Sequence, residues 1–196
     1  MLELWGGTVL LSNTHKFIFI HIWKVGGTSI RHSLSNFAEG NSSLVKKHAS
    51  AQEIANHVGN DIFRKYFTFS FVRNPWDIQV SNFFYIRQRP DHYAYSWMAK
   101  FGCFDEYIEW RVSEERILQL SMLCDSSGNV AIDFVGRFEN FEHDFGTVCN
   151  NIGVDAKLSF RNKSLHPQYR ECYTPFSRRL VEDAYEKDIE YFGYEF

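Results

Sequence analysis

FIFIHIWKVGGTSI, residues 17–30, decides the fold. From Phe17 to Ile22 the run is apolar except for His21, which predicts a short strand buried on both faces. It empties into Lys24, Gly26, Gly27, Thr28 and Ser29, and a helix is predicted from Thr28 to Phe37. Gly26 and Gly27 let backbone amides approach a ligand closely and adopt positive φ. The amides that follow are the unpaired donors of a helix start, where the dipole also favours an anion. Thr28 and Ser29 add hydroxyls, and Lys24 adds a full charge. The turn reads as a cradle for a phosphate-like group; taken by itself, it also fits a plain turn that uses glycine for packing. It is not the Walker A pattern, in which lysine follows the last glycine. No second-strand aspartate suited to magnesium stands out, which disfavours a magnesium-dependent kinase.

A second apolar run, Tyr66 to Val72, ends at RNPWD, residues 73–77. Asn74 suits an N-cap and Pro75 the first helical position, so a helix is expected to about Arg87. Arg73 stands at the strand end and Ser81 about two turns into the helix, a rise of about 10 Å. A long arginine with a planar fork suits an anion there. The alternative for this turn alone is a structural ion pair and a packed serine.

Elsewhere, Ser50 with Glu53 predicts a capping box opening a helix over 51–58. Residues 87–102 read as a long aromatic connection, 104–123 as mostly helical, and 130–138 as a strand. Phe141 to Ile152 reads as a helix stopped by Gly153. From 154 to 173 there is little periodicity but several basic residues. One closing helix is expected, capped by Thr174, with Pro175 at its start and Gly193 past its end. Alternating strands and helices predict an α/β fold: a P-loop-like central parallel sheet flanked by helices, in a single domain over 1–196. In such sheets ligands bind at the carboxyl ends of strands, and both strong strands end in a cation.

The net charge of -3 argues against a general nucleic-acid binder, so an anion site must come from local charge placement. No apolar run reaches the roughly 18 residues of a membrane span. Residues 1–16 lack a basic n-region, so cytoplasmic residence is expected. Cys103, Cys124, Cys149 and Cys172 are widely spaced, which speaks against zinc and predicts free buried thiols. The 17% aromatic content is expected to fill core.

Together the two turns resemble the sulfotransferases that use 3'-phosphoadenosine 5'-phosphosulfate, especially the carbohydrate O-sulfotransferase branch. IHIWKVGGTS is similar to that family's I-H-[IV]-P-K-x-G-G-T-S, and FSFVRNPWDIQVS to its F-x-[FV]-V-R-[ND]-P-[WY]-[DE]-R-x-x-S. IDFVGRFENF and the terminal YRECYTPFSRRLVEDAYEKDIEYFGYEF extend the resemblance to nearly the whole chain. It implies that Lys24, Gly26, Gly27, Thr28 and Ser29 form the 5'-phosphosulfate loop. It implies that Arg73 and Ser81 bind the 3'-phosphate. The stretch from Arg161 to Arg170 would fold over the nucleotide, with Lys163, Tyr169 and Arg170 as contacts. Trp23 replaces the usual proline. Ile78 replaces a frequent arginine, a change expected to remove a surface or intersubunit contact.

The resemblance implies transfer of a sulfuryl group to an acceptor hydroxyl, expected on a sugar, with polysaccharide, glycolipid and small metabolite all open as acceptors and no metal required. Lys24 and the loop amides would stabilise charge on the leaving oxygen. The family places a catalytic histidine in an interval like that between His48 and Arg73, and an imidazole suits base catalysis near neutrality. His48 is therefore the expected base, His166 a substitute, and His21 a packed ring. Lys46 and Lys47 would attract an acidic acceptor, and His92, in the aromatic connection, would touch it. Two alternatives stand beside this reading: a P-loop small-molecule kinase, and a nucleotide-binding protein without transferase activity.

Overall fold

Phe17–Ile20 are all buried, and the run forms the strand its pattern predicts. The computed structural model describes residues 9–39, 47–159, 161 and 165–196. In chain order its elements are β1 (Leu10–Ser12), β2 (Phe17–Ile20), α1 (Gly27–Ser33), α2 (Ala51–Val58), α3 (Asn60–Lys65), β3 (Phe67–Val72), α4 (Pro75–Arg87), α5 (Tyr95–Met98), α6 (Phe104–Glu114), α7 (Gln119–Leu123), β4 (Phe134–Arg137), α8 (Phe141–Ile152), α9 (Pro175–Ala184) and α10 (Glu186–Phe192). The fold is α/β, and its contacts divide into two compact units. The first comprises Met1–Val72 with Gln119–Asn162, and the second Arg73–Leu118 with Lys163–Phe196.

The first unit holds the sheet, in the order β1-β2-β3-β4. β2, β3 and β4 run parallel, with Ile20 opposite Ser70 and Val72 opposite Arg137. Their carboxyl ends therefore share one edge. The sheet is not wholly parallel: β1 pairs antiparallel with β2, Leu10 opposite Phe19. Three residues are too few for an alternating pattern to show, so this edge strand leaves little trace in the sequence. Phe17, Phe19, Phe69 and Phe71 are at most 1% exposed. Phe19 stacks on Phe69 at 5.1 Å. Burying such rings stabilises by about 2 kcal/mol each. Helix α8 packs against β3 and β4.

The second unit is helical. Trp76, Phe83, Met98, Tyr107, Ile108, Val181 and Tyr185 form its core, and α6 packs on α9. Ile78 is 2% exposed, so isoleucine here is a core side chain rather than a lost surface contact. The predicted single closing helix is two, α9 and α10, separated at Tyr185, whose φ of -112° is not helical. The Tyr185 ring is buried in the core. Likewise 104–123 is two helices, and the helix predicted to Phe37 stops at Ser33 before a 3-10 turn at Ser35–Phe37. The strand expected over 130–138 is only Phe134–Arg137. All four cysteines are free, but only Cys149 is buried. Among the described residues no helix is long and apolar enough to cross a membrane.

Candidate functional site

In the first unit the chain leaves β2 at Ile20 and enters α1 at Gly27. Lys24 takes φ +63°, and Gly26, the N-cap of α1, takes φ +82°. Glycine adopts that region freely, whereas a lysine there costs about 1 kcal/mol and persists only where its surroundings fix it. Of the described residues other than glycine, only Lys16 shares a positive φ, and it sits in the β1–β2 turn. The first ladder bond of α1 runs from Ser29 N–H to the Gly26 carbonyl, 2.9 Å. The amides of Gly27 and Thr28 precede it, as the first amides of a helix must.

The need for bare backbone comes from inside the protein. A Cβ on Gly26 would lie 2.5 Å from Phe141 Cζ, and one on Gly27 2.0 Å from His21 Nε2. Both glycines are therefore required by neighbouring rings, whatever binds outside. Thr28 is exposed, Lys24 and Trp23 are half-buried, and Ser29 is 2% exposed. Ser29 Oγ accepts the Arg161 backbone N–H at 2.9 Å, which leaves its own proton available to donate. Arg161 also reaches back with its guanidinium, Nε to Ser159 Oγ at 3.3 Å and Nη2 to His32 Nε2. The start of the basic segment is thus laid along α1. A left-handed lysine, two side-chain-free residues and two hydroxyls fit a tetrahedral anion.

His48 is exposed, yet its ring stands 4.6 Å from that of His21. Its Nδ1 lies 2.8 Å from the His21 carbonyl oxygen. A carbonyl only accepts, so Nδ1 carries the hydrogen and the lone pair is on Nε2. Desolvation by surrounding protein atoms lowers the pKa of His48; the carbonyl bond opposes this, and Lys47 and Arg31 reinforce it. A basic Nε2 is therefore available into mildly acid solution. His21 is 4% exposed, and burial pushes its pKa well below the usual histidine value, helped by His48, Lys47 and Arg31. It is a packed neutral ring, as expected from the sequence.

In the second unit Arg73 is 6% exposed and donates from Nε and Nη2 to Asp77 Oδ2, both at 2.8 Å. The sequence reading left this ion pair as the alternative to anion binding. Asn74 caps α4 by accepting from Trp76 N–H at 3.0 Å. Its Nδ2 donates to the Glu195 carbonyl at 2.9 Å and to Tyr169 Oη at 3.4 Å. Arg170 is exposed and stacks over Tyr169 at 5.0 Å. Tyr169 and Arg170 thus join the turn that carries Arg73, through an asparagine that the sequence marked only as a cap. Ser81 is buried within α4. His166 is half-buried against Phe84, and Lys163 and Lys46 lie outside the described residues.

Residues 8–195 match the model of the sulfotransferase family. The chain belongs to the sulfotransferase family. An uncharacterized protein of Archaeoglobus fulgidus is similar to this sulfotransferase, 31% identical over 121 residues, which cover 60% of this chain and 94% of the relative. Membership implies transfer of a sulfuryl group to a hydroxyl-bearing acceptor, and the sulfate donor general to the family is 3'-phosphoadenosine 5'-phosphosulfate. The loop from Lys24 to Ser29 lies in the matched region, as do His48, Arg73, Ser81, Tyr169 and Arg170.

Proposed function

We propose that this sulfotransferase moves a sulfuryl group from 3'-phosphoadenosine 5'-phosphosulfate to a carbohydrate hydroxyl, with His48 as general base and Lys24 stabilising the departing charge. The observation that carries the reading is the seating of His48. A family chain needs a base within reach of its anion loop, and His48 is fixed to the backbone of a residue whose ring touches Gly27.

Each residue has a definite task. Lys24, the amides of Gly26, Gly27 and Thr28, and the hydroxyls of Thr28 and Ser29 hold the 5'-phosphosulfate end. Arg73 and Ser81 hold the 3'-phosphate, with Lys163, Tyr169 and Arg170 along the nucleotide. When bound, the donor supplies the sulfuryl group and leaves as 3'-phosphoadenosine 5'-phosphate. His48 Nε2 takes the hydroxyl proton as the acceptor oxygen bonds to sulfur and the bond from sulfur to the bridging oxygen breaks. Lys24 offsets the charge that gathers on that oxygen, where a fixed cation in a dry site acts most strongly. Loop and lysine together neutralise the charge without a metal.

A sugar acceptor is supported by the surface of the connection between α4 and α6. Tyr93 is 94% exposed and stacks on His92 at 4.6 Å, and Arg89 lies over Tyr85 at 4.2 Å. Flat exposed rings suit the apolar faces of sugars, and a guanidinium suits an acidic substituent.

Calorimetric titration with 3'-phosphoadenosine 5'-phosphate and with adenosine 5'-phosphate tests the nucleotide site. Labelled-sulfate transfer to a panel of glycans, glycolipids and small alcohols tests the acceptor. Tighter binding of the bisphosphate, and label on a sugar, are expected. Magnesium-dependent phosphate transfer from ATP without sulfate transfer would overturn the reading.

A further inference from the structure

Among the buried side chains of the first unit that the tasks above leave unused is that of His21, 4% exposed. Its ring sits at the end of a column. Phe69 stacks on Phe19 at 5.1 Å, Phe19 stacks on His21 at 5.3 Å, and both pairs are tilted by only 27°. The column starts in β3, passes through β2 and ends against the loop. Its last ring fills the space beside Gly27: a Cβ there would meet His21 Nε2, Cδ2 and Cε1 at 2.0, 2.1 and 2.8 Å. The same residue's carbonyl holds His48 Nδ1, and the two imidazoles are 4.6 Å apart.

We infer that His21 is a positioning residue that ties the anion loop to the base, its ring setting where Gly27 lies and its carbonyl setting where His48 lies. This rests on reading His48 as the base. One short residue thus sets both the surface that holds the departing group and the atom that takes the proton. A reacting pair needs its separation fixed closely, and a misplacement of about 1 Å costs on the order of 100-fold in rate. Packed aromatic rings are stiff spacers, because a close-packed interior transmits displacement instead of absorbing it. Among the described residues, buried His21 Nδ1 has no hydrogen-bond partner. The ring therefore serves through its shape and its backbone, and burial keeps it neutral beside His48.

A double-mutant cycle on kcat tests this, because it separates action through His48 from general damage. His21→Ala is expected to lower kcat by roughly 100-fold. The same change in the His48→Ala background is expected to cost much less, since the ring packed against His48, which also steadies the carbonyl that holds it, then has no base to position. Full multiplication of the two losses would mean a merely structural role and would overturn the proposal. From the other side, Gly27→Ala is expected to weaken binding of 3'-phosphoadenosine 5'-phosphate, and His21→Ala to restore it by removing the ring. Gly27→Ala that is equally harmful with and without the ring would contradict the spacer. If His21→Ala does not fold, His21→Gln carries the cycle; it keeps the reach of Nε2 without the ring's width, so a smaller kcat loss with the same non-additivity is expected. A slow His48→Ala beside a full-speed His21→Ala would remove the positioning role alone. A full-speed His48→Ala would remove the base reading itself.

Discussion

Two parallel strands end at the same edge of one sheet, and each is followed by a cation and a helix, yet the two turns are built on opposite principles. After β2 the chain turns through a left-handed Lys24 and a left-handed Gly26, with rings pressed against its inner side. After β3 it turns through Asn74 and Pro75 in ordinary geometry, and a carboxylate four residues on grips the arginine. The first turn spends conformational energy on placing backbone and lysine; the second holds its guanidinium in a ready-made ion pair. A strained turn that bares its backbone at two glycines suits charge that appears during reaction, while a pre-oriented arginine suits a charge that is always present. On this view the β2 end does chemistry and the β3 end does recognition.

The largest effect expected is on the base. His48→Ala should lower kcat by about 10²- to 10⁴-fold and leave affinity for 3'-phosphoadenosine 5'-phosphate nearly unchanged, as read by calorimetry beside a transfer assay. Lys24→Ala should follow, with about 10²- to 10³-fold lost in kcat and weaker nucleotide binding as well. If either variant lost binding alone, the chemical role of the β2 end would fall.

The pH dependence is a subtler test. A base must be neutral, and desolvation lowers the pKa of His48. The acid limb of kcat/KM should therefore have its midpoint below the ordinary histidine value of about 6.5. His21 adds a stability effect of calculable sign. Its folded pKa lies well below 6.5, so as pH falls through that value the unfolded chain takes up a proton that the buried ring refuses. Stability should fall with pH in the window between 6.5 and the folded value of His21, and His21→Gln should flatten that slope in a Tm-against-pH series.

The smallest effect is far from both strand ends. Hydrogen bonds from Thr14, then Asn13 and Ser12, hold the Glu39 carboxyl down to about 2. It supports the β1–β2 turn, its Oε2 accepting the Asn13 N–H at 2.6 Å. Its contribution is present above pH 4.5 and lost as pH falls toward 2. Glu39→Gln should remove that part of the acid transition and leave kcat at neutral pH untouched.

The same contrast explains what could be read before folding. Helices with strong punctuation are legible at both ends: α4 from Asn74 and Pro75, and α8 from its stop at Gly153, which is left-handed at φ +66°. The break between α9 and α10 is not legible, because no glycine or proline marks Tyr185 and the kink accompanies a ring buried in the core. At the candidate site, Lys24, Gly26 and Gly27 are visible as residue types, and His48 through its interval before Arg73. What makes Gly27 obligatory is not visible, since the ring that needs the space belongs to a residue that local pattern assigns to a strand. The second role of Asn74 is hidden for a similar reason: its partners, Tyr169 and Glu195, lie 95 and 121 residues away.

The division of labour between the strand ends is tested most directly by kcat at saturating donor for Arg73→Ala beside Lys24→Ala. If the β3 end recognises and the β2 end reacts, Arg73→Ala recovers a near-wild-type kcat once the donor is raised, its defect lying in KM. Lys24→Ala stays slow by about 10²-fold or more at any donor concentration. Arg73→Ala remaining as slow as Lys24→Ala at saturation, or Lys24→Ala being rescued by donor, would contradict it.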